Sequence, residues 1–288
     1  MHAGVRQTYT ETTMKFQKTQ QLLAAAGLAT LALSAHAVEW SENILGARFG
    51  STFAEPGIPG SSISKSIYSF THVSGDKLGK NLVLADVLLS NDKDPGVGGS
   101  GGAQEFYGLY RRTFSLSKMT GKPFAFGPFK DMSLVGRVDF QTKNIQFAPR
   151  ARKVIGGVSF DFDVPKGFIE SGIYAYSESN HNGIVGKDVS FKTTYLLDTS
   201  WLIPFNAGVP AKWSGSLAYT GPKGKDGFNA DTKGETRLFT SVMFDVGTST
   251  GFAVGVGFEA WRNKYGNDQS ATPGAKHNTV LLLAEYRM

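Results

Sequence analysis

The chain contains no cysteine in its 288 residues. That excludes a disulfide framework, a thiolate metal site and a cysteine nucleophile. It also lacks any run of 18 apolar residues, so no helix is long enough to cross a bilayer. A β-barrel escapes that test, because its lipid-facing and lumen-facing residues alternate and average out, as the mean hydropathy of −0.17 allows. Blocks of lysine and arginine are missing too. The net charge is +6, and setting aside Arg6, Lys15, Lys18 and Glu11 leaves about +4, so no nucleic-acid partner is indicated. Histidine is sparse. His72, His181 and His277 are scattered, whereas zinc needs several convergent ligands. Glycine (35 residues), phenylalanine (21) and tyrosine (10) are plentiful instead.

The amino terminus reads as an export signal. Met14-Lys15 opens a short basic region with Lys18. The apolar stretch from Leu22 to Leu33 follows, and Ser34-Ala35-His36-Ala37 forms a small-residue cleavage site before Val38. Residues 1–37 are therefore expected to be a leader and cleavable signal peptide, with the start at Met14, and residues 38–288 the exported domain.

Beyond Val38 the sequence alternates with period 2 between Gly/Asn/Asp/Pro clusters. Twelve strands are predicted, over 41–53, 61–74, 79–90, 104–117, 130–143, 151–163, 167–178, 187–199, 211–221, 235–247, 251–263 and 277–288. In 251–263, Phe252, Val254, Val256, Phe258 and Ala260 share one face, with Ala253, Gly255, Gly257, Glu259 and Trp261 on the other. The even count, strands longer than the roughly 5–6 residues of globular sheets, and aromatics near strand ends point to an all-β, twelve-stranded antiparallel transmembrane β-barrel in a bacterial outer membrane. Short links near 75–79, 163–167 and 247–251 would be periplasmic and the long polar links extracellular, with 118–130 and 199–211 as long periplasmic exceptions. Adjacent Arg111 and Arg112 would force one arginine toward lipid. The last strand, with Val280, Leu282, Ala284, Tyr286 and Met288 on one face, resembles the terminal strand read by the barrel assembly machinery. Outer-membrane lipid and lipopolysaccharide are the expected surroundings.

Gly96-Val97-Gly98-Gly99-Ser100-Gly101 matches a dinucleotide-binding pattern, but a strand follows it where a helix is required, so it reads as a loop. Asn91, Asp92 and Asp94 lack the closing glutamate of a calcium loop. No metal, cofactor or covalent chemistry is implied, and no enzyme is expected. A barrel hydrolase built on His72 and a nearby serine is the weakest alternative.

The lumen-facing charges are more informative. Arg48, Arg111, Arg137, Lys153, Lys192 and Arg237 balance Asp139, Asp161, Asp163, Glu170, Asp245 and Glu259. They suit either a salt-bridge network bracing the wall or a pore with interleaved aromatics, Tyr174, Tyr176, Phe239 and Trp261. Aromatic faces stack planar bases for about 1–3 kcal/mol each, and polar groups between them can meet a sugar's hydroxyls.

At this point the chain resembles the nucleoside-specific channel family (Tsx-like outer-membrane channels). Phe126-Gly127-Pro128-Phe129-Lys130-Asp131 carries the sharpest likeness, with Arg48-Phe49-Gly50, the hairpin from Gly156 through Asp161-Phe162-Asp163 to Ile173-Tyr174-Ala175-Tyr176, and more loosely Trp213 to Gly221 and Trp261 to Asp268. The resemblance implies a monomeric barrel with a narrow pore that passes nucleosides through weak aromatic and ionisable sites. Phe49 is the binding aromatic it implies. The expected reading is facilitated diffusion of nucleosides or similar small solutes. Phe49, Tyr174, Phe239 and Trp261 would stack the base, and Arg137, Asp139, Arg237 and Glu259 would meet polar groups. The alternative is a structural or surface-interaction barrel with a plugged lumen.

Overall fold

The computed structural model describes residues 38–60, 62–98, 101–247 and 250–288. The expected leader over 1–37, and Gly99-Ser100 of the glycine-rich loop, lie outside the described residues. Thirteen strands form one antiparallel sheet: β1 (Trp40–Phe53), β2 (Ile63–Asp76), β3 (Gly79–Ser90), β4 (Gln104–Ser115), β5 (Phe129–Lys143), β6 (Arg150–Phe162), β7 (Phe168–Asn182), β8 (Lys187–Ser190), β9 (Thr194–Asn206), β10 (Pro210–Thr220), β11 (Glu235–Asp245), β12 (Phe252–Arg262) and β13 (His277–Arg287). Each stave pairs with its neighbour in the chain. The ring closes where Ile44–Phe49 of β1 run against Arg287–Leu282 of β13. The four-residue β8 pairs only with the far end of β7, so twelve staves make the barrel and β8 is a flap above its rim.

One expected strand is revised. Residues 187–199 do not form a single stave. The chain leaves β8 at Ser190 and re-enters the wall at Thr194, pairing with Phe168–Tyr176 of β7. The stave then runs on to Asn206, so the long link expected near 199–211 shrinks to 207–209. Trp201-Leu202-Ile203-Pro204-Phe205 hid this, because an unbroken apolar run with a proline reads poorly as alternation.

The β4–β5 link is the one long connection at the short-turn end. It carries a single helical turn, α1 (Leu116–Thr120), whose Lys118 N–H is capped by the Ser115 hydroxyl and which ends on left-handed Gly121. Beyond it Phe126, Phe129, Phe160 and Phe162 make one aromatic cluster, with ring centroids 4.8–6.0 Å apart.

Alternation holds around the ring. Leu45, Leu134, Val154, Ile173, Val256, Val280 and Leu282 are exposed on the outside. Two apolar patches line the inside: Val135, Ile155, Tyr174, Tyr176 and Leu196 on one wall, and Phe53, Ile63, Ile67 and Leu281 on another. Arg112 does take the outward face, paired across with Asn81 and Gly136. Its guanidinium folds against the short-turn end, forking onto Asp76 at 2.9 Å for each contact with the Phe114 ring 4.6 Å away. Asp76 also accepts from the N–H groups of Leu78 and Gly79. Breaking a buried pair from one side leaves an uncompensated charge, at about 3–5 kcal/mol. Asp76→Ala should therefore destabilise the refolded barrel by about that amount in urea titrations followed by gel mobility. Arg112→Leu, which leaves Asp76 its two backbone donors and puts an apolar group toward lipid, should cost less.

Candidate functional site

Twelve staves enclose an interior narrow enough for side chains from opposite walls to meet. Each charge there must then find a partner, because an unpaired ion away from water is costly. The lumen is accordingly a stack of ion pairs. Near mid-height Arg48 donates to Asp86 (2.5 Å) and Ser69 (3.1 Å). Arg137 forks onto Asp139 (2.7 and 2.8 Å), reaches the Tyr107 hydroxyl (3.0 Å), and lies 3.7 Å from Asp198. Below, toward the short turns, Arg111 pairs with Glu170 and lies 3.3 Å from the Tyr174 hydroxyl, while Lys80 approaches Asp161. At the short-turn mouth Lys212 meets Glu285 and Arg287 meets Asp245.

Above mid-height Arg237 donates to Glu259 at 2.6 Å, and Glu259 holds the buried ring of His277 at 2.9 Å. The Arg237 guanidinium and the Lys264 ammonium lie over the Trp261 ring at 4.8 and 4.7 Å. The Trp261 N–H donates to Glu235 at 2.6 Å. A cavity of about 150 Å³ runs between these walls, and Arg48, Tyr107, Arg137, Lys153 and Arg237 all face it. Arg237 is the most open of the paired cations there, with 41% of its side chain exposed.

The long-loop end is roofed. Glu55 from the β1–β2 link, Asp94 from the β3–β4 link and Lys264 from the β12–β13 link fold inward and meet Lys65, Glu105 and Lys143 from the walls. None of the six side chains is more than 6% exposed. Burial alone would push the Glu55 carboxyl up, but Lys264, Lys65 and Lys143 outweigh it and hold it well below the usual carboxylate range. At Lys264 burial wins, and its ammonium is held below the ordinary lysine value despite Glu55. Asp94, considered in the sequence for calcium, is taken by Lys143 at 2.8 Å.

Of the residues expected at the site, Arg48, Arg111, Arg137, Asp139, Tyr174, Tyr176, Arg237, Phe239, Glu259 and Trp261 line the interior. Two do not. Phe49 takes the outward face: it is 47% exposed and lies across from exposed Leu282. Arg48 beside it holds the lumen, and a strand cannot turn neighbouring side chains the same way. Lys192 lies in the link between β8 and β9, exposed, beside Gly224, because the stave it was assigned to is broken there. Asp163, also expected in the lumen, is exposed past the end of β6. The aromatics are less free than alternation suggests. Tyr176 is buried with its hydroxyl on Glu178 at 2.5 Å, Trp261 sits under two cations, and Arg48 lies 5.7 Å from the Phe239 centroid. His72 bonds Asn43 at 2.8 Å rather than a serine. The whole roof is unread in the sequence, since its charges come from loops and from the upper ends of β2, β4 and β5, where nothing local marks them as paired. Asp86 and Asp198 were missed for the same kind of reason.

No family model matches the chain, and no curated protein does. Among solved structures it is similar to a KdgM porin, at 5% identity over 85% of this chain and 98% of that one with a TM-score of 0.42. It is similar to a NanC porin at 8% identity over 85% and 100%, TM-score 0.47. It is also similar to the translocator domain of the autotransporter NalP from Neisseria meningitidis, at 11% identity over 98% of each chain, TM-score 0.44. Such distant likenesses carry no argument about a solute. The chain's own geometry defines the class: a closed antiparallel ring with no free edge, apolar outside and charged inside, is a β-barrel of the outer-membrane type.

Two outcomes follow. Tyr174 lies flat on the wall because Gly172 has no side chain; a Cβ there would overlap its hydroxyl. Gly172→Ala should tip the ring into the lumen with the barrel still folded, raising the reactivity of Tyr174 toward a small tyrosine-nitrating reagent. Glu55, with its lowered value, stabilises the roof fully above the ordinary carboxylate range near about pH 4.3 and loses that contribution only as pH falls through its depressed value. Protease nicking of the β12–β13 link should therefore be the same at pH 7 and about 5. Glu55→Gln should raise it at both.

Proposed function

We propose that this protein is an outer-membrane channel for facilitated diffusion of nucleosides or similar small polar solutes. The observation that carries the reading is the ladder of ion pairs along the lumen, whose middle and upper rungs face a cavity. Replacing buried ion pairs by apolar residues is often neutral or stabilising, so strength alone does not account for a charged interior. Paired charges of both signs offer a passing solute donors and acceptors at every level without trapping it, and conduction needs exit as well as entry.

Within that reading, Arg237, Tyr107, Arg137 and Asp139 meet the sugar hydroxyls and ring nitrogens. Trp261 receives a base once Lys264 withdraws from its face. The likeness of Phe126–Asp131 and of the β6–β7 hairpin to nucleoside channels supports this choice of solute. Phe49, facing outward, plays no part.

The roof favours a second reading, a barrel closed at the long-loop end whose work is structural or done by its loops. Both readings bear on one experiment: residues 38–288 refolded in planar bilayers, as wild type and as Lys264→Ala, with adenosine, thymidine, a free sugar and an amino acid added in turn. The channel reading expects small conductance in wild type, larger in Lys264→Ala. It also expects nucleoside block that weakens roughly tenfold in Trp261→Ala, the size of about 1.4 kcal/mol of stacking, and is unchanged in Phe49→Ala. Equal block by all solutes would leave a general small pore, and silence from both proteins would favour the structural barrel.

A further inference from the structure

Outward charge interrupts the largely apolar outer face at the short-turn end, where Arg112 meets Asp76, and again near the long-loop rim of β3 to β6. Strands β3 to β6 align two rows of outward side chains there. The upper row is Val87, Phe106, Thr142 and Arg150, and the lower is Ala85, Gly108, Phe140 and Arg152. Phe106 leans over Gly108. The Arg152 guanidinium lies 5.6 Å from the centre of the Phe140 ring. Above the rows, the β5–β6 link and His181 at the tip of β7 close a groove of about 620 Å³, lined by Val87, Phe106, Thr142, Pro149, Arg150 and His181. Arg150 is 58% exposed and its nearest acid, Asp188, is 3.5 Å away and itself 80% exposed. Glu105, the other acid at the groove, turns its carboxylate inward to Gln141.

Two arginines over an aromatic shelf, at the level where hydrocarbon gives way to headgroups, are matched to a ligand with acyl chains and a phosphate. Guanidinium forks bind phosphate oxygens in a bidentate way, and a desolvated aromatic shelf takes the chain. We propose that this groove binds a phosphorylated, acylated glycolipid of the outer leaflet, lipopolysaccharide, with its phosphate on Arg150 and Arg152 and an acyl chain along Val87, Phe106 and Phe140. The proposal rests on the membrane orientation of the barrel and not on what passes through its lumen.

The test uses the full barrel, delipidated in detergent, with thermal unfolding followed by heat-modifiable gel mobility. Lipopolysaccharide should raise the unfolding midpoint of wild type. Arg150→Ala/Arg152→Ala, both surface changes that leave the fold intact by the same gel assay, should lose most of that shift. The apparent affinity should fall about tenfold per arginine, the size of one charge-assisted hydrogen bond. Arg150→Lys/Arg152→Lys should keep part of it. An equal shift with phosphatidylglycerol, or an undiminished response in the double alanine variant, would overturn the assignment.

Discussion

Opposite charge meeting across a narrow lumen is the interaction on which the rest of this barrel depends. A twelve-stave ring cannot be filled like a globular core, because each inward position is matched by an outward one that must suit lipid. Nor is it wide enough for its ions to keep full hydration. Pairing is the remaining solution. Arg48–Asp86, Arg111–Glu170 and Arg137–Asp198 each tie strands that are apart in the ring, and Arg237–Glu259 braces one stave against the next. The wall thus gains cross-links in the one direction that its hydrogen bonds, which run around the circumference, do not supply.

The same rule explains the roof. Lys65 and Lys143 point inward from the upper wall, where nothing on neighbouring staves satisfies them both. Glu55 and Asp94 arrive on links that bend into the lumen, and Lys264 follows as the third cation, anchored to the Ala54 carbonyl at 3.0 Å. The backbone cost is local: Asn263 and Tyr265 sit at φ of 48° and 60° to make the inward bend, a left-handed region that side chains other than glycine seldom take. Tyr265 is then held by Gln141, 3.1 Å from its hydroxyl. Loop conformation is here set by the charges beneath it.

Much of this was legible in the sequence where period 2 was unbroken. The faces of β11 and β12 follow from Arg237 to Asp245 and Phe252 to Trp261 residue by residue, and with them four of the lumen positions, Arg237, Phe239, Glu259 and Trp261. Legibility failed where the period was interrupted. The Arg48-Phe49-Gly50 likeness puts Phe49 in the lumen, but the charge of its neighbour Arg48 already takes the inward face. Lys192 was misplaced because a link of three residues can interrupt a strand without a glycine or proline to announce it. Asp198 was missed with it. Glu55, Asp94 and Lys264 were unreadable in principle, since nothing local tells a solvated loop charge from one that returns to a lumen. Arg112 breaks the pattern, and its answer, Asp76, lies 36 positions away at the end of β2.

The phenylalanine cluster at the foot of β5 and β6 has a consequence of its own. Among the described residues, no other link at that end carries comparable aromatic bulk: the turns between β2 and β3 and between β9 and β10 are tight. Rings that prefer the headgroup layer extend here past the ends of the staves, so that the foot of β5 and β6 is held at the membrane surface by a link as well as by the strands themselves.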